Sequence, residues 1–191
     1  FHFATANKMT ILIPYNMTMG LLSLAVAFFI GYNLAKSYGM KEAVNGMTAM
    51  ITFFIVAAPA GYVALADGTT SLMINSKYLG AQGMFTAIVI GLLTTEITRF
   101  CQEHHITIRL PEVCPPVLTE SFATIIPMGI NITLFFLLNQ LIGVWMPGRS
   151  IPSCIEAILA KPVGVVNSVP GAIFLCLFIL VLWCCGVHGQ M

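Results

Sequence analysis

The residue best placed to do chemistry in this chain is His188. It lies in the run Trp183-Cys-Cys-Gly-Val-His-Gly-Gln190, at the end of a hydrophobic stretch, with Gly186 and Gly189 on either side. Paired glycines break a helix and expose backbone polar groups. Broken helices at membrane depth are tolerated only where they are buried in protein or line a water-filled cavity, and transporters build substrate sites there. A histidine at such a break can hydrogen-bond a hydroxyl or accept its proton. The other reading is a histidine at the water boundary that only ends a helix, and the residues by themselves leave both open.

The remaining polar candidates carry less. Glu103, His104 and His105 are adjacent, and neighbouring histidines rarely chelate one ion from regular structure, so a solvated loop is expected there. Glu96 and Arg99 stand three apart on one helix face and are expected to pair or to snorkel toward water. Glu120 and Ser121 open a later span and suit a helix N-terminus. Asn131, Asn139 and Gln140 either bond across helices or line a path. The chain has no Walker loop, GxGxxG, GxSxG or His-Glu-x-x-His, and its six cysteines (Cys101, Cys114, Cys154, Cys176, Cys184, Cys185) fit no zinc or disulfide framework. No cofactor and no metal site is expected.

Composition decides what must position these residues. Of 191 residues, 58% are hydrophobic and 8% charged, against about 25% charged in soluble domains. Eight Lys and Arg with seven Asp and Glu cannot cover a wet surface, whereas a lipid-facing surface needs none. Mean hydropathy is +0.93. The net charge of +1 gives no field for nucleic acid.

Five stretches are long and apolar enough to span a bilayer: 16–35, 43–65, 78–100, 121–144 and 169–186. Backbone amides in lipid must be satisfied within the segment, so all five are expected as helices, with kinks at Pro59 and Pro127. Small residues four apart, Ala57 with Gly61 and Ala60 with Ala64, predict close helix contact. The stretch 65–76 predicts a polar turn, 102–119 a long loop broken by Pro115-Pro116, and 155–159 a short interfacial segment. Lys36, Lys41, Arg99 and Arg109 fall on one side of the membrane and Lys8, Lys77, Arg149 and Lys161 on the other, so charge gives no orientation. The chain starts at Phe1 and stops at Met191 just after a polar Gly-His-Gly-Gln run, and both ends are expected to be truncations.

Several motifs, in order along the chain, resemble one family. Gly31-Tyr-Asn-Leu-Ala-Lys-Ser-Tyr-Gly39, Tyr78-Leu-Gly-Ala-Gln-Gly-Met-Phe85 and Val169-Pro-Gly171 are similar to helix ends and starts of the enzyme IIC permeases of the lactose/cellobiose/chitobiose phosphotransferase family. The strongest match is Ile108-Arg-Leu-Pro-Glu-Val-Cys-Pro-Pro-Val-Leu-Thr-Glu-Ser-Phe-Ala-Thr-Ile-Ile-Pro127, and Gly186-Val-His-Gly189 resembles the family's Gly-Ile-His-Gly. Val187 for Ile is conservative, and Cys184 and Cys185 stand where bulkier residues are usual.

The resemblance implies an all-α polytopic membrane helix bundle of about five transmembrane helices. Residues 1–145 would be the N-terminal helix cluster with the dimer interface. Residues 146–191 would be a connecting segment and the first helix of a truncated transport domain. It implies a permease of a phosphoenolpyruvate-dependent sugar phosphotransferase system in the bacterial cytoplasmic membrane, taking up a β-linked disaccharide of cellobiose, chitobiose or lactose type with coupled phosphorylation. Its partners would be soluble IIA and IIB proteins, a second copy and the lipid bilayer, with the phosphoryl-donor cysteine on IIB. His188, with Gly189 beside it, would contact the sugar near the hydroxyl to be phosphorylated and be the catalytic residue. Its acidic partner would lie beyond Met191. The loop after the first span and the 102–119 loop would be cytoplasmic. Two other readings stand against this one: a non-transporting scaffold or dimerising fragment, since no complete substrate site is visible, and an ordinary secondary transporter, which would need a coupling-ion site.

Overall fold

The computed structural model describes residues 8–65, 68–108 and 116–165, together with Gly171, Ile173, Cys176, Leu177 and Leu180, all five of which are helical. The described elements are helices α1 (Lys8–Thr18), α2 (Leu22–Ser37), α3 (Glu42–Ala57), α4 (Met84–Glu103), α5 (Pro116–Trp145) and α6 (Ile151–Val165), and a two-stranded antiparallel hairpin, β1 (Ala60–Ala64) with β2 (Thr70–Ile74). Two compact units divide the chain, Phe1–Pro152 and Ser153–Met191.

Among the described residues, three helical stretches are long and apolar enough to cross a membrane: Thr10–Ser37, Ala81–Glu103 and Phe122–Trp145. They correspond to the first, third and fourth expected spans. The first is interrupted by a 3-10 turn at Met19–Leu21, which leaves the Ser23 amide without a helical partner. That amide donates to the Leu79 carbonyl at 2.9 Å, and the Ser23 hydroxyl donates to the Gly80 carbonyl at 2.6 Å. An orphan donor of a helix start is thereby satisfied from outside the helix. Pro116 stands first in α5, where its missing amide costs little, and Pro127 lies wholly buried within that helix. Most of the fifth expected span, 169–186, lies outside the described residues.

The second expected span is corrected. The helix stops at Ala57 after 16 residues, and 60–64 is a strand. Pro59 is the reason: it disfavours the helical region for the residue before it, and Ala58 sits at φ −122°, ψ 67°. Beyond it, Gly-Tyr-Val suits extended backbone. The pairing Tyr62↔Leu72 sets the register, and Gly68 at φ +80° makes the turn. The predicted polar turn at 65–76 therefore shrinks, because 70–74 is the returning strand.

In unit 1, α2, α3 and α4 pack on one another and α5 packs on α3 and α4. Lipid offers no hydrophobic drive for helix association, so close van der Waals approach must supply it. The buried residues of α2 are Ser23, Ala27, Gly31 and Ala35, a small residue at every fourth position. A Cβ built on Gly31 would lie 2.8 Å from the Ala49 Cβ and 3.0 Å from the Asn45 carbonyl oxygen, so α3 rests directly on this stripe. The buried faces of α3 (Asn45, Gly46, Thr48, Ala49, Thr52, Phe53) and of α4 (Thr86, Ala87, Gly91, Thr94, Thr95, Thr98) are equally rich in small residues. The small-residue pairs expected around Gly61 and Ala64 do not make helix contacts, since both are exposed in β1. Phe53, Val56 and Ile90 fill the centre. Phe29, Leu92, Leu93, Phe136, Leu137 and Val144 stay exposed, as a lipid-facing surface requires.

Two helix ends close in the same way. At the end of α2, Gly39 takes φ +68°, its amide donates to the Lys36 carbonyl, and the Met40 amide donates to the Ala35 carbonyl at 2.9 Å. At the end of α4, His105 takes φ +58° and the Ile106 amide donates to the Cys101 carbonyl at 2.8 Å. Both are left-handed caps of the Schellman type, the first with the residue that prefers that region and the second without it. Gly39→Ala is expected to destabilise the folded protein by about 1 kcal/mol, the cost of a side chain in left-handed backbone. Thermal unfolding in detergent measures it. An unchanged midpoint would mean the cap is not formed.

Candidate functional site

His188 and Gly189 lie outside the described residues. What the described residues bring together is a charged cluster at one end of the bundle and a polar seam inside it.

The cluster joins α4 to the loop after α2. Arg99 Nε donates to Glu103 Oε1 at 2.8 Å, and Arg99 Nη1 lies 3.7 Å from Glu96 Oε2. These are i,i+4 and i,i+3 neighbours on one helix face. The Tyr38 hydroxyl donates to Glu96 Oε1, and the Arg99 guanidinium lies over the Tyr38 ring, 4.5 Å from its centroid. The expected Glu96–Arg99 pair is present, then, and extends to Glu103 and Tyr38. The Glu96 carboxylate, by accepting a hydrogen bond from the neutral hydroxyl, holds Tyr38 above the ordinary phenol value of 10.0, with lesser help from desolvation and the Glu96 charge. The folded value is raised, so this hydroxyl–carboxylate clasp is intact at neutral pH and opens only as pH rises past the ordinary phenol range. The phenyl ring of Phe100 and the imidazole of His104 stand 4.0 Å apart, and His104 Nδ1 lies 3.0 Å from the Phe100 carbonyl. A carbonyl only accepts, so Nδ1 carries the proton in that bond. His104 and His105 belong to the close of a helix, and no group of three or more metal-ligating side chains occurs among the described residues.

The seam runs between α4 and α5. Asn131 is wholly buried; its Nδ2 donates to the Thr98 hydroxyl at 3.0 Å and to the Pro127 carbonyl at 2.9 Å. Thr98 in turn donates to the Thr94 carbonyl at 2.9 Å. Of the two roles open to Asn131, the structure places it in a cross-helix bond. Asn139 Oδ1 accepts the Ile151 amide at 2.9 Å and so holds the first residue of α6. A Thr98→Val, Asn131→Leu double-mutant cycle is expected to give a coupling of about 0.6 kcal/mol, typical of such bonds in membranes. A coupling of zero would mean that Asn131 and Thr98 are neighbours without a bond. Thr98 carried no distinct sequence signal, because it stands among Thr94, Thr95, Glu96 and Arg99 and its partner Asn131 is 33 residues away. Nothing in the sequence linked Tyr38 to Glu96, because they are 58 residues apart.

The two ends of the bundle are thereby fixed relative to one another. The Tyr38–Glu96 bond puts the loop after α2 and the end of α4 together. The Ser23–Leu79 bond puts the start of α2 beside the segment that leads into α4. The loop after the first span and the segment that follows α4 at His104, two residues later than the expected loop start at Gln102, therefore lie at one end of the bundle.

A family model described as phosphotransferase system, EIIC, matches residues 1–191. The chain belongs to this family. Among its EIIC relatives is the oligo-beta-mannoside-specific EIIC component of Bacillus subtilis (strain 168), 32% identical over 174 residues, covering 91% of this chain and 39% of that protein. Another is the cellobiose-specific EIIC component of Geobacillus stearothermophilus, 29% identical over 185 residues, covering 94% of this chain and 41% of that protein. The crystal structure of the transporter ChbC, the IIC component from the N,N'-diacetylchitobiose-specific phosphotransferase system, superimposes with a TM-score of 0.74 at 28% identity, covering 95% of this chain and 43% of that one. The chain spans about two fifths of the length of these EIIC proteins. The helical EIIC transporter fold and residence in a bacterial cytoplasmic membrane as a multi-pass protein follow from this membership.

Proposed function

We propose that the complete protein bearing this chain is the membrane permease of a phosphoenolpyruvate-dependent sugar phosphotransferase system, that it moves a β-linked disaccharide inward, and that it releases it as a phosphate ester. The observation that carries the reading is the EIIC family match over every residue of the chain. The named relatives support the sugar class: cellobiose, N,N'-diacetylchitobiose and oligo-β-mannosides all carry β linkages. Soluble IIA and IIB proteins supply the phosphate, with the donor cysteine on IIB.

His188 and Gly189 are the proposed sugar contacts in this chain, with His188 the catalytic candidate near the hydroxyl that receives the phosphoryl group. Residues 1–145 are the proposed dimerising cluster, and residues 146–191 the start of the transport domain.

Membrane vesicles holding the complete permease test the reading. With phosphoenolpyruvate, the general phosphotransferase proteins, IIA and IIB, they are expected to phosphorylate one or more of cellobiose, lactose, chitobiose and mannobiose, and not the α-linked maltose. Phosphorylation of none of the β-linked sugars would overturn it.

A further inference from the structure

We draw no further inference here: the strongest candidate, the exposed apolar face that Tyr62, Leu72 and Ile74 form on the β1–β2 hairpin, carries nothing because nothing in the structure shows what covers it.

Discussion

Replacing His188 with Ala in the complete protein is expected to cut sugar phosphorylation by about a hundredfold or more while leaving membrane insertion unchanged. The magnitude separates two jobs for the imidazole. A single hydrogen bond to a neutral hydroxyl contributes about 0.5–1.5 kcal/mol, tenfold or a little more at most. Taking the proton of the attacking hydroxyl contributes about 10²–10⁴-fold. A loss near tenfold, expressed as a raised KM, would make His188 a sugar ligand only. A loss of a hundredfold or more in kcat would make it the base. His188→Gln sharpens the distinction, because the amide keeps a hydrogen bond and gives up the proton acceptor. If Gln restores most of the activity, the base role fails. If phosphorylation is undiminished in the Ala variant, the site assignment as a whole fails.

The second large effect falls on the helix packing. Gly31→Leu is expected to destabilise the membrane block by about 3 kcal/mol, the upper part of the usual overpacking range. The first carbon of the new side chain already meets Ala49 at 2.8 Å and the Asn45 carbonyl at 3.0 Å, and backbone cannot swing aside as a side chain can. Helices α2 and α3 must move apart to admit the side chain, and the packing of the block loosens with them. Gly20→Ala is the control, because nothing lies within 4 Å of the Cβ it would gain. The ratio of folded to aggregated protein on size-exclusion chromatography, and unfolding midpoints in mild detergent, report the difference. Equal behaviour of the two variants would mean that α2 and α3 do not touch along this stripe.

The expected spans 16–35, 78–100 and 121–144 match long apolar helices because length and hydropathy alone specify a membrane helix, and those signals are intact in them. The stretch 43–65 misled for a definite reason. Hydropathy reads Ala60-Gly-Tyr-Val-Ala64 as more membrane, whereas Pro59 ends the helix and Gly61, Tyr62 and Val63 are at ease in a strand. A proline in a membrane span permits either a kink or a stop: Pro127 gives continued helix and Pro59 gives a stop. The residues downstream make the difference: a long, mostly apolar stretch follows Pro127 and the helix continues to Trp145, whereas the short run after Pro59 leads directly into the turn at Gly68. The close-packing stripe of Ser23, Ala27, Gly31 and Ala35 emerged only from the structure, whereas the small-residue pairs read from the sequence, Ala57 with Gly61 and Ala60 with Ala64, pointed to a helix contact that a strand cannot make. Of the polar residues, Glu96 and Arg99 were readable from their spacing. Tyr38 and Thr98 entered only when the helices came together, because their partners are distant in sequence. His188 rests on its glycine-flanked motif and on the family resemblance.

The chemical form in which the sugar arrives inside the cell separates group translocation from ordinary transport. Cells that express the complete protein are given radiolabelled cellobiose, or whichever β-linked disaccharide the vesicles accept, with and without functional IIB. Group translocation predicts that label inside the cell is recovered as disaccharide phosphate when IIB is present, and that accumulation stops when IIB is removed. Free disaccharide accumulating to the same level without IIB would contradict group translocation and make the protein an ordinary secondary transporter.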